Sequence, residues 1–371
     1  MSINASRHHP NGFEDHDQIR VESAEIPRPG WDYLVNREPA GTYCHFGNWA
    51  SVMTDVLGHE CLFLHAWREP KGGPAVLDGL LPLVRVRSLF FGHYLVSMPF
   101  LNYGGAIGGE ESRQRLLSQA VDEAESSGAD LLEIRARSTE GNGADPAELC
   151  SRLTRNQRKV SVRLKLATDA EEFWKEGLRS KVRSQVRRPM KEGLETRFGN
   201  TQIDEFYEVF SRNMRDLGTP VLPKSLFQAL PGAFGDSVAF GVVYDGRVPV
   251  AAGCAFRKGP EVEMTWASSL REYSRSAPNM LLYWRFLEWA IENGATVFNF
   301  GRCTPGSGSH RFKLQWGGED EPLPWATWAK GDKAQTPNPG QGRYSAAIRT
   351  WQRLPLGVTR SLGPFFARRI P

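Results

Sequence analysis

The sequence predicts an α/β (α+β) fold of two tandem domains, each with a mixed, mainly antiparallel sheet flanked by helices. Three observations support this prediction. The chain has 371 residues, and a typical domain size of about 100–200 residues favours two domains. Segments of the first half recur in the second half at a nearly constant spacing. Each half also has strands, then a helix, then a further strand, as expected for a mixed sheet covered by helices.

The repeat is carried by two separate segments. Residues 78–83 (DGLLPL) recur as residues 245–250 (DGRVPV), at an offset of 167 residues. At an offset of 166, matching residues are Leu116 and Leu282, Ala124 and Ala290, Gly128 and Gly294, and Ala129 and Ala295. Two matches at nearly one offset indicate a duplicated unit of domain size. We place the first domain at about 20–165 and the second at about 166–330.

The second copy shows its elements most clearly. Strands are predicted at 238–244, 248–256 and 261–267, a helix at 279–293 and a further strand at 295–300. Asp245-Gly246 is a strong turn signal between two strands. The helix has an apolar face, formed by Leu282, Phe286, Trp289 and Ala290, and Gly294 suits the left-handed position after its last turn. The first copy has the same ending, with an apolar helical face over 116–124, Gly128, and a strand at 131–134.

A basic helix is predicted at 178–188, early in the second domain. Apolar residues recur there with helical spacing, and so do Arg179, Arg183 and Arg187. Pro189 is expected to end or kink this helix. The arginine stripe has two interpretations, a grip on an anionic acceptor such as a nucleotide-sugar or lipid diphosphate, or an ordinary solvated helix face.

The two ends of the chain differ from its body. Residues 1–20 are polar and predicted to be disordered. Residues 331–345 have the composition of a linker. The tail, 346–371, is basic, since residues 341–371 contain six arginines and no acidic residue. It suits either peripheral contact with an anionic inner membrane or packing against the second domain.

Composition limits the remaining function classes. The net charge is +4, too small and too concentrated in the tail for a nucleic-acid packaging protein. The five cysteines are scattered, without zinc-site spacing, and are expected to be reduced and buried. No metal site is predicted. The chain has no signal-like start and no long uncharged apolar run, so we expect a cytoplasmic protein.

Two segments resemble the FemAB family of tandem GNAT-type acyl- and aminoacyl-transferases. They are the basic helix, LRSKVRSQVRRPMKEG, and FNFGRCTPGSGSHRFKLQWGGEDEPLPW, with its glycine-rich turn and Phe-Lys-x-x-Trp-Gly motif. With the C-terminal WQRLPLGVTRSLGP, they are most similar to FemAB-related proteins associated with the PEP-CTERM/exosortase system. The resemblance implies acyl or aminoacyl transfer to an amine, with acyl-CoA or aminoacyl-tRNA as co-substrate and no bound cofactor.

The glycine-rich segment contains the first candidate site. Arg302 and Lys313 suit phosphate neutralisation or stabilisation of an oxyanion, and the family resemblance implies a catalytic role for Lys313. Gly306 and Gly308 permit close backbone approach to a ligand. Phe312 and Trp316 complete the motif as substrate-binding candidates. The alternative is a surface turn with solvated cations.

The loop 271–279 is the second candidate site. It precedes a helix N-terminus, which offers free N–H groups to a phosphate, and Arg271, Arg275 and Asn279 are assigned to substrate binding. The usual CoA-binding signature of GNAT domains is absent from this loop. Tyr273 is assigned to catalysis, and it shares with Glu261 and Glu263 a position suited to a general base. The alternative is a structural role for these three residues and an ordinary tight loop before a capped helix.

These features lead to one function and two alternatives. The main hypothesis is an acyl- or aminoacyl-transferase that forms an amide on an amine of a cell-envelope or exopolysaccharide precursor, which is small, nucleotide-linked or lipid-linked. The first alternative is a CoA-dependent N-acetyltransferase of a small amine. The second is a degenerate transferase that acts as a binding subunit of an envelope-assembly system. tRNA enters only as a donor, and no DNA partner is predicted.

Overall fold

The structure is a computed structural model that describes residues 18–88, 92–138, 145–156, 159–331 and 345–370. Its strands are β1 (Gln18–Ala24), β2 (Glu60–Glu69), β3 (Val76–Ser88), β4 (Gly92–Val96), β5 (Ile107–Gly108), β6 (Leu131–Arg135), β7 (Thr154–Asn156), β8 (Val160–Lys165), β9 (Glu195–Phe198), β10 (Val238–Asp245), β11 (Val248–Lys258), β12 (Glu261–Ser269), β13 (Val297–Cys303), β14 (Glu319–Pro322) and β15 (Trp325–Ala329).

The helices surround two sheets. They are α1 (Trp31–Arg37), α2 (Trp49–Ser51), α3 (Glu110–Ser126), α4 (Pro146–Leu149), α5 (Ala170–Glu172), α6 (Ser180–Lys191), α7 (Ile203–Leu217), α8 (Lys224–Phe234), α9 (Pro278–Glu292), α10 (Gly308–Leu314), α11 (Ser345–Arg353) and α12 (Leu356–Ala367). Short 3-10 segments include Tyr43–His45 and Arg271–Ser276.

Each sheet has one parallel pair of strands and is otherwise antiparallel. The first sheet has the order β1-β2-β3-β4-β6-β15-β7, with β5 beside β3, and its parallel pair is β4 and β6. The second has the order β14-β8-β13-β12-β11-β10-β9, and its parallel pair is β12 and β13. Because parallel strands need a crossover, α3 precedes β6 and α9 precedes β13. This arrangement confirms the predicted fold class.

The duplication is visible at the end of each domain. α3 ends at Ser126 and is followed by Gly128 at φ 69°, and α9 ends at Glu292 and is followed by Gly294 at φ 76°. The other repeated segment, residues 78–83 and 245–250, has a different local structure in each copy. Asp245-Gly246 forms the predicted turn, whereas Gly79 lies within β3. A Cβ on Gly79 would lie 2.9 Å from the Ser112 Cβ, so this glycine allows α3 to pack closely.

Sheet membership differs from the predicted boundary between the domains. β15, expected in the second domain, pairs with β6 of the first sheet, from Trp325 opposite Arg135 to Ala329 opposite Leu131. β8, expected in the first domain, pairs with β13 of the second sheet. The chain therefore crosses between the sheets twice. The repeat offset located the duplicated elements but did not indicate the final strand that returns to β6.

The basic helix and the two ends also differ from their predicted bounds. Residues 18–20 belong to β1 and not to a disordered end; the remainder of that prediction, and 332–344 of the linker, lie outside the described residues. α6 continues to Lys191, because Pro189 lies in the last turn and removes only one hydrogen-bond donor. The tail forms α11 and α12 and packs against the second domain, where Arg360 Nε donates to Ser211 Oγ at 2.9 Å.

Apolar side chains of both domains pack into a shared core. One apolar cluster contains residues of both sheets and of α1, α7 and α8. In it, the ring of Tyr43 stacks on Phe256 with centroids 4.4 Å apart, and Trp49 packs on Phe234 at 4.8 Å. All five cysteines are buried and unpaired, as predicted. Among the described residues, we find no helix of the length and apolarity required to cross a membrane.

We expect Phe256→Ala to lower the free energy of unfolding by about 3–5 kcal/mol, because it leaves a cavity between rings of both domains. Phe256→Leu retains most of the volume and should cost about 1–2 kcal/mol. Denaturant unfolding measures both. Because the core is shared, one cooperative transition should move to lower denaturant as a unit. Two separate transitions, of which only one moves, would contradict a shared core.

Candidate active site between the domains

A distortion in β13 shapes the candidate site. The register between β13 and β8 shifts between Asn299 and Arg302, and Gly301 lies at φ 72° within that interval. A Cβ at Gly301 would be 2.8 Å from the carbonyl oxygen of Met264 in β12. Glycine therefore meets two requirements here, since it adopts left-handed backbone without strain and permits close contact with the neighbouring strand.

Lys313 holds this distortion in place. It lies on α10 and is 7% exposed. Its Nζ donates to the carbonyl oxygens of Gly301 at 2.6 Å and Arg302 at 2.9 Å. Burial lowers the pKa of Lys313 to about 8. The predicted catalytic lysine thus contacts the backbone of the other predicted catalytic residue, Arg302.

Arg302 presents a charged group without a charged partner. Its guanidinium lies 5.0 Å from the centre of the Trp325 ring, which also contacts Arg135 at 4.8 Å. Within the described residues Arg302 forms no hydrogen bond or ion pair through its side chain. Surrounding protein and the charge of Arg135 lower the pKa of Arg302, yet the residue keeps a solvent-exposed face. Arg302 is therefore available to a developing negative charge.

Glu263 is a buried carboxyl group at the junction of the domains. It lies on β12 and is 2% exposed. Asn102 Nδ2 donates to its Oε1 at 2.5 Å, and Tyr43 Oη donates to the same atom at 3.2 Å. Both donors belong to the first domain. Burial raises the pKa of Glu263 to about 7, so the group can exchange a proton near neutral pH, as a general base must.

A second buried carboxyl group, Glu261, has the opposite protonation preference. Burial acts to raise the pKa of Glu261, but the guanidinium groups of Arg137 at 2.6 Å and Arg163 at 2.9 Å outweigh it and lower the pKa. Asn299 Nδ2 also donates to Glu261 at 3.0 Å. Glu261 is therefore a fixed anion that binds the domains together, and Glu263 is the better candidate for proton transfer.

A cavity of about 730 Å³ opens beside these carboxyl groups, between the two domains. It is lined from the first domain by the segment 36–43 and by Arg137, and from the second by β8, β12 and β14. Charged residues of both signs line it: Arg37, Glu38, Arg137, Arg163, Lys165, Lys258, Glu261, Glu263, Glu319, Asp320 and Glu321. A ligand with both cationic and anionic groups would find partners there.

The predicted arginine stripe lies away from this cavity. α6 packs against α9 on the opposite face of the second sheet. Arg183 donates to the carbonyl oxygens of Lys175 at 2.8 Å and Leu178, and the Arg187 guanidinium lies 5.3 Å from the centre of the Trp174 ring. Arg179 is exposed. None of the three lines the cavity between the domains, so two of them stabilise the turn before α6 and one is free to bind a ligand elsewhere.

The predicted loop 271–279 forms a 3-10 segment that leads into α9. Arg271 and Arg275 are exposed, and Asn279 is half-buried in the first turn of α9. Tyr273 is half-buried and packs between the two large apolar clusters. The helix N-terminus is present as predicted, and Tyr273 has a packing role visible in the structure.

Of the predicted site residues around Lys313, two lie in a turn and two pack in the apolar core. Gly306 and Gly308 lie in the exposed turn that begins α10. Phe312 and Trp316 pack against Tyr283, with ring centroids 4.9 and 6.4 Å away, and thus support the site from the apolar side. His310 is 8% exposed in α10.

His310 has two firm partners. Its Nδ1 accepts from the Gly306 N–H at 3.0 Å, and its Nε2 lies 2.8 Å from Asp320. The helix forms there because Ser307 caps it and accepts from the His310 N–H at 3.1 Å.

Sequence reasoning missed the groups contributed by the first domain. Tyr43, Asn102 and Arg137 lie far along the chain from the predicted motifs, yet contact Glu263 or Glu261. No short motif contains them. The pattern that pointed toward the site was the pair Glu261 and Glu263 on a predicted strand, whose side chains lie on one face because strands have a period of two.

Residues 178–314 match the family model of the acetyltransferase (GNAT) domain. A 125-residue part of the chain is 25% identical to a UDP-N-acetylmuramoylpentapeptide-lysine N(6)-alanyltransferase of Weissella viridescens. That alignment covers 33% of this chain and 37% of the relative, so the chain spans little more than a third of the relative's length.

Solved structures share the whole architecture. The crystal structure of FemX is 14% identical and has a TM-score of 0.62, with 88% of this chain and 100% of FemX covered. L-PGS from Bacillus licheniformis is 12% identical and has a TM-score of 0.53, with 91% and 98% covered. At sequence identities this low, the similarity shows a shared fold and nothing more. The chain thus has the two-domain fold of FemX, and residues 178–314 are similar to the acetyltransferase (GNAT) domain.

Proposed function

We propose that this protein is an acyltransferase that forms an amide on an amine, with its reacting groups at the junction of the two domains. One observation carries the proposal. An unpaired guanidinium, Arg302, and a carboxyl group with a pKa of about 7, Glu263, lie on the two parallel strands of the GNAT domain. The Glu263 carboxyl group also lines the cavity between the domains.

In the proposed reaction the amine nitrogen attacks the acyl carbonyl carbon. The carbonyl oxygen gains negative charge, which Arg302 stabilises. Glu263 accepts the proton that the amine loses. The donor's leaving oxygen or sulfur departs with the electron pair of the broken bond and takes up a proton, and an amide remains. Lys313 acts as a positioning residue, because its ammonium group holds the two carbonyls that fix the backbone at Arg302.

The second domain is proposed to perform the reaction. In the first domain, the matching space beside β4 and β6 is filled by Arg135. Its guanidinium donates to the carbonyl oxygens of Met98 at 3.2 Å and Leu101 at 2.9 Å and pairs with Glu133 at 2.7 Å. The matching position of the second domain is Gly301, which has no side chain, and the cavity beside Glu263 is the space proposed for the substrate.

The donor is proposed to be an acyl-CoA or an aminoacyl-tRNA. Arg271, Arg275 and the N-terminus of α9 form the proposed contact for its phosphates. The acceptor is proposed to be an amine on a cell-envelope or exopolysaccharide precursor, bound in the cavity of mixed charge. The relative from Weissella viridescens, whose name specifies the lysine of UDP-N-acetylmuramoylpentapeptide, supplies the first acceptor to test. An association with the PEP-CTERM/exosortase system belongs to the same proposal.

Thermal melting separates these donors and acceptors. A ligand that binds only the folded state raises the melting temperature by mass action. The panel contains acetyl-CoA, charged and uncharged tRNA, and UDP-N-acetylmuramoylpentapeptide, followed by mass spectrometry of donor–acceptor mixtures. A shift with acetyl-CoA, lost in Arg271→Gln/Arg275→Gln, would identify an N-acetyltransferase. A shift with charged tRNA and an aminoacylated acceptor would identify an aminoacyltransferase. Ligand binding without any product would favour a binding subunit.

We expect Glu263→Gln to remove the rise of kcat/KM through an apparent pKa near 7 and to lower kcat by about 10²–10⁴-fold, because the proton acceptor is lost. The pH profile of the transfer reaction measures this. Glu288→Gln is the matched control, because burial also raises the pKa of Glu288, which lies on α9 away from the cavity. An unchanged profile in Glu263→Gln would rule out the proton transfer assigned to this residue.

The same variant has a stability signature that needs no substrate. The pKa of Glu263 is raised in the folded state, so both states are protonated below pH 4.5 and folding loses stability as pH rises toward 7. Glu263→Gln cannot ionise, so it does not lose stability in this way. The free energy of unfolding of the variant should equal that of the unmodified chain at pH 4 and exceed it by about 3 kcal/mol above pH 7. Denaturant melts across that range test it, and a pH-independent difference would contradict a raised pKa.

We expect Lys313→Met to lower kcat with little change in KM, because the backbone at Arg302 loses the ammonium group that fixes it. Stability should fall by about 1–3 kcal/mol, since two carbonyl groups lose their donor. Steady-state kinetics and thermal melting measure these effects. Lys175→Met, on an exposed residue of the same type, should change neither. A variant that melts lower but keeps full kcat would reduce Lys313 to a structural role.

A further inference from the structure

The outward face of α12 is apolar and is not covered by the described part of the chain. Val358, Leu362 and Phe365 are 38%, 45% and 41% exposed, and their spacing places them on one side of the helix. The opposite side is buried against the second domain. There a Cβ on Gly363 would lie 2.8 Å from the side chain of Val221, so the helix is held with a fixed orientation.

A cluster of arginines lies at the end of this helix. Arg368 and Arg369 join Arg85 and Arg87 of the first domain around a recess of about 250 Å³ that also includes His59 and Glu60. Glu60 pairs with Arg85 at 3.3 Å and Arg87 at 2.8 Å. Arg368 and Arg369 form no ion pair within the described residues. Arg85 also pairs with Glu123 at 3.6 Å, so the four guanidinium groups have two carboxylate partners.

Several polar atoms in this arginine cluster lack partners. The Nε atoms of Arg85 and Arg368 and the Nε2 atom of His59 are buried without a hydrogen-bond partner among the described residues. Burial, with the nearby Arg368 and Arg369, lowers the pKa of His59 to about 4, so this histidine is neutral and adds no charge. Buried donors without acceptors are costly, so the described protein alone does not satisfy these guanidinium groups.

The apolar face and the arginine cluster are physically joined. Arg369 donates to the carbonyl oxygen of Phe365 at 2.6 Å, and its guanidinium lies 3.8 Å from the centre of the Phe365 ring. Apolar side chains beside phosphate-binding arginines match the boundary between acyl chains and headgroups in an anionic bilayer. A soluble phosphate compound would satisfy the arginines but leave Val358, Leu362 and Phe365 in water.

We propose that α12 docks the protein on the surface of an anionic phospholipid membrane. Leu362 and Phe365 enter the headgroup region, and Arg85, Arg87, Arg368 and Arg369 bind lipid phosphate. Each arginine near such a surface contributes about 1 kcal/mol. This inference is independent of the proposed reaction, because none of these residues lines the cavity between the domains.

Flotation of the full chain with vesicles tests the proposal. We expect flotation with phosphatidylcholine vesicles that contain about a third phosphatidylglycerol, weak flotation with phosphatidylcholine alone, and release by high salt. Leu362→Ser/Phe365→Ser and Arg368→Gln/Arg369→Gln should each reduce bound protein at least about tenfold. The matched controls, Ile26→Ser, at a site 62% exposed, and Arg197→Gln/Arg247→Gln, should float as the unmodified chain does. Thermal melting verifies that each variant is folded.

Three results would overturn the proposal. They are failure of the unmodified chain to float with anionic vesicles, equal flotation without phosphatidylglycerol, and unchanged flotation of both double variants. Calorimetry with inorganic phosphate tests whether the arginine cluster binds a soluble phosphate instead of a lipid phosphate. Phosphate binding that is lost in Arg368→Gln/Arg369→Gln, while flotation of that variant persists, would assign the arginine cluster to a soluble anion and not to a lipid.

Discussion

The site depends on the polar contacts between the two domains at β12. Asn102 and Tyr43 reach Glu263, while Arg137 reaches Glu261. These three contacts are buried, so each must be made with good geometry, and removal of one partner from the Arg137–Glu261 ion pair costs about 3–5 kcal/mol. A change in the relative position of the domains would break several at once. The contacts therefore fix the shape of the cavity as well as the protonation of Glu263.

The two carboxyl groups on β12 show how environment separates chemically similar groups. They are two residues apart and point to the same face of one strand. Glu261 has two guanidinium partners and stays ionised, whereas Glu263 has only neutral hydrogen-bond donors and is protonated more readily. The difference comes from side chains of the first domain and of β8, not from β12. One residue secures the interface, and the other is left free to exchange a proton.

The sequence was sufficient for the fold class, and it led to a proposal for part of the candidate site. Alternation and turn residues located β10, β11 and β12, and helical spacing with Gly294 located α9, because these signals are local. Lys313 and Arg302 were proposed from a local motif. Tyr43, Asn102 and Arg137 were not, because their relation to Glu263 and Glu261 exists only after two sheets pack together. The strand β15 was missed for the same reason, since its pairing with β6 is determined by tertiary structure.

The duplication explains why the two domains are not equivalent. At the offset of 166 residues, Arg135 corresponds to Gly301 and Met98 corresponds to Met264. In the first domain the Arg135 guanidinium donates to the Met98 carbonyl and fills the space beside the parallel strands. In the second domain a Cβ at Gly301 would lie 2.8 Å from the Met264 carbonyl oxygen, and the Gly301 carbonyl instead accepts from the Lys313 ammonium group. One position thus holds a buried arginine in the domain that supplies Tyr43 and Asn102 to the interface, and a left-handed glycine in the domain that carries Arg302 and Glu263.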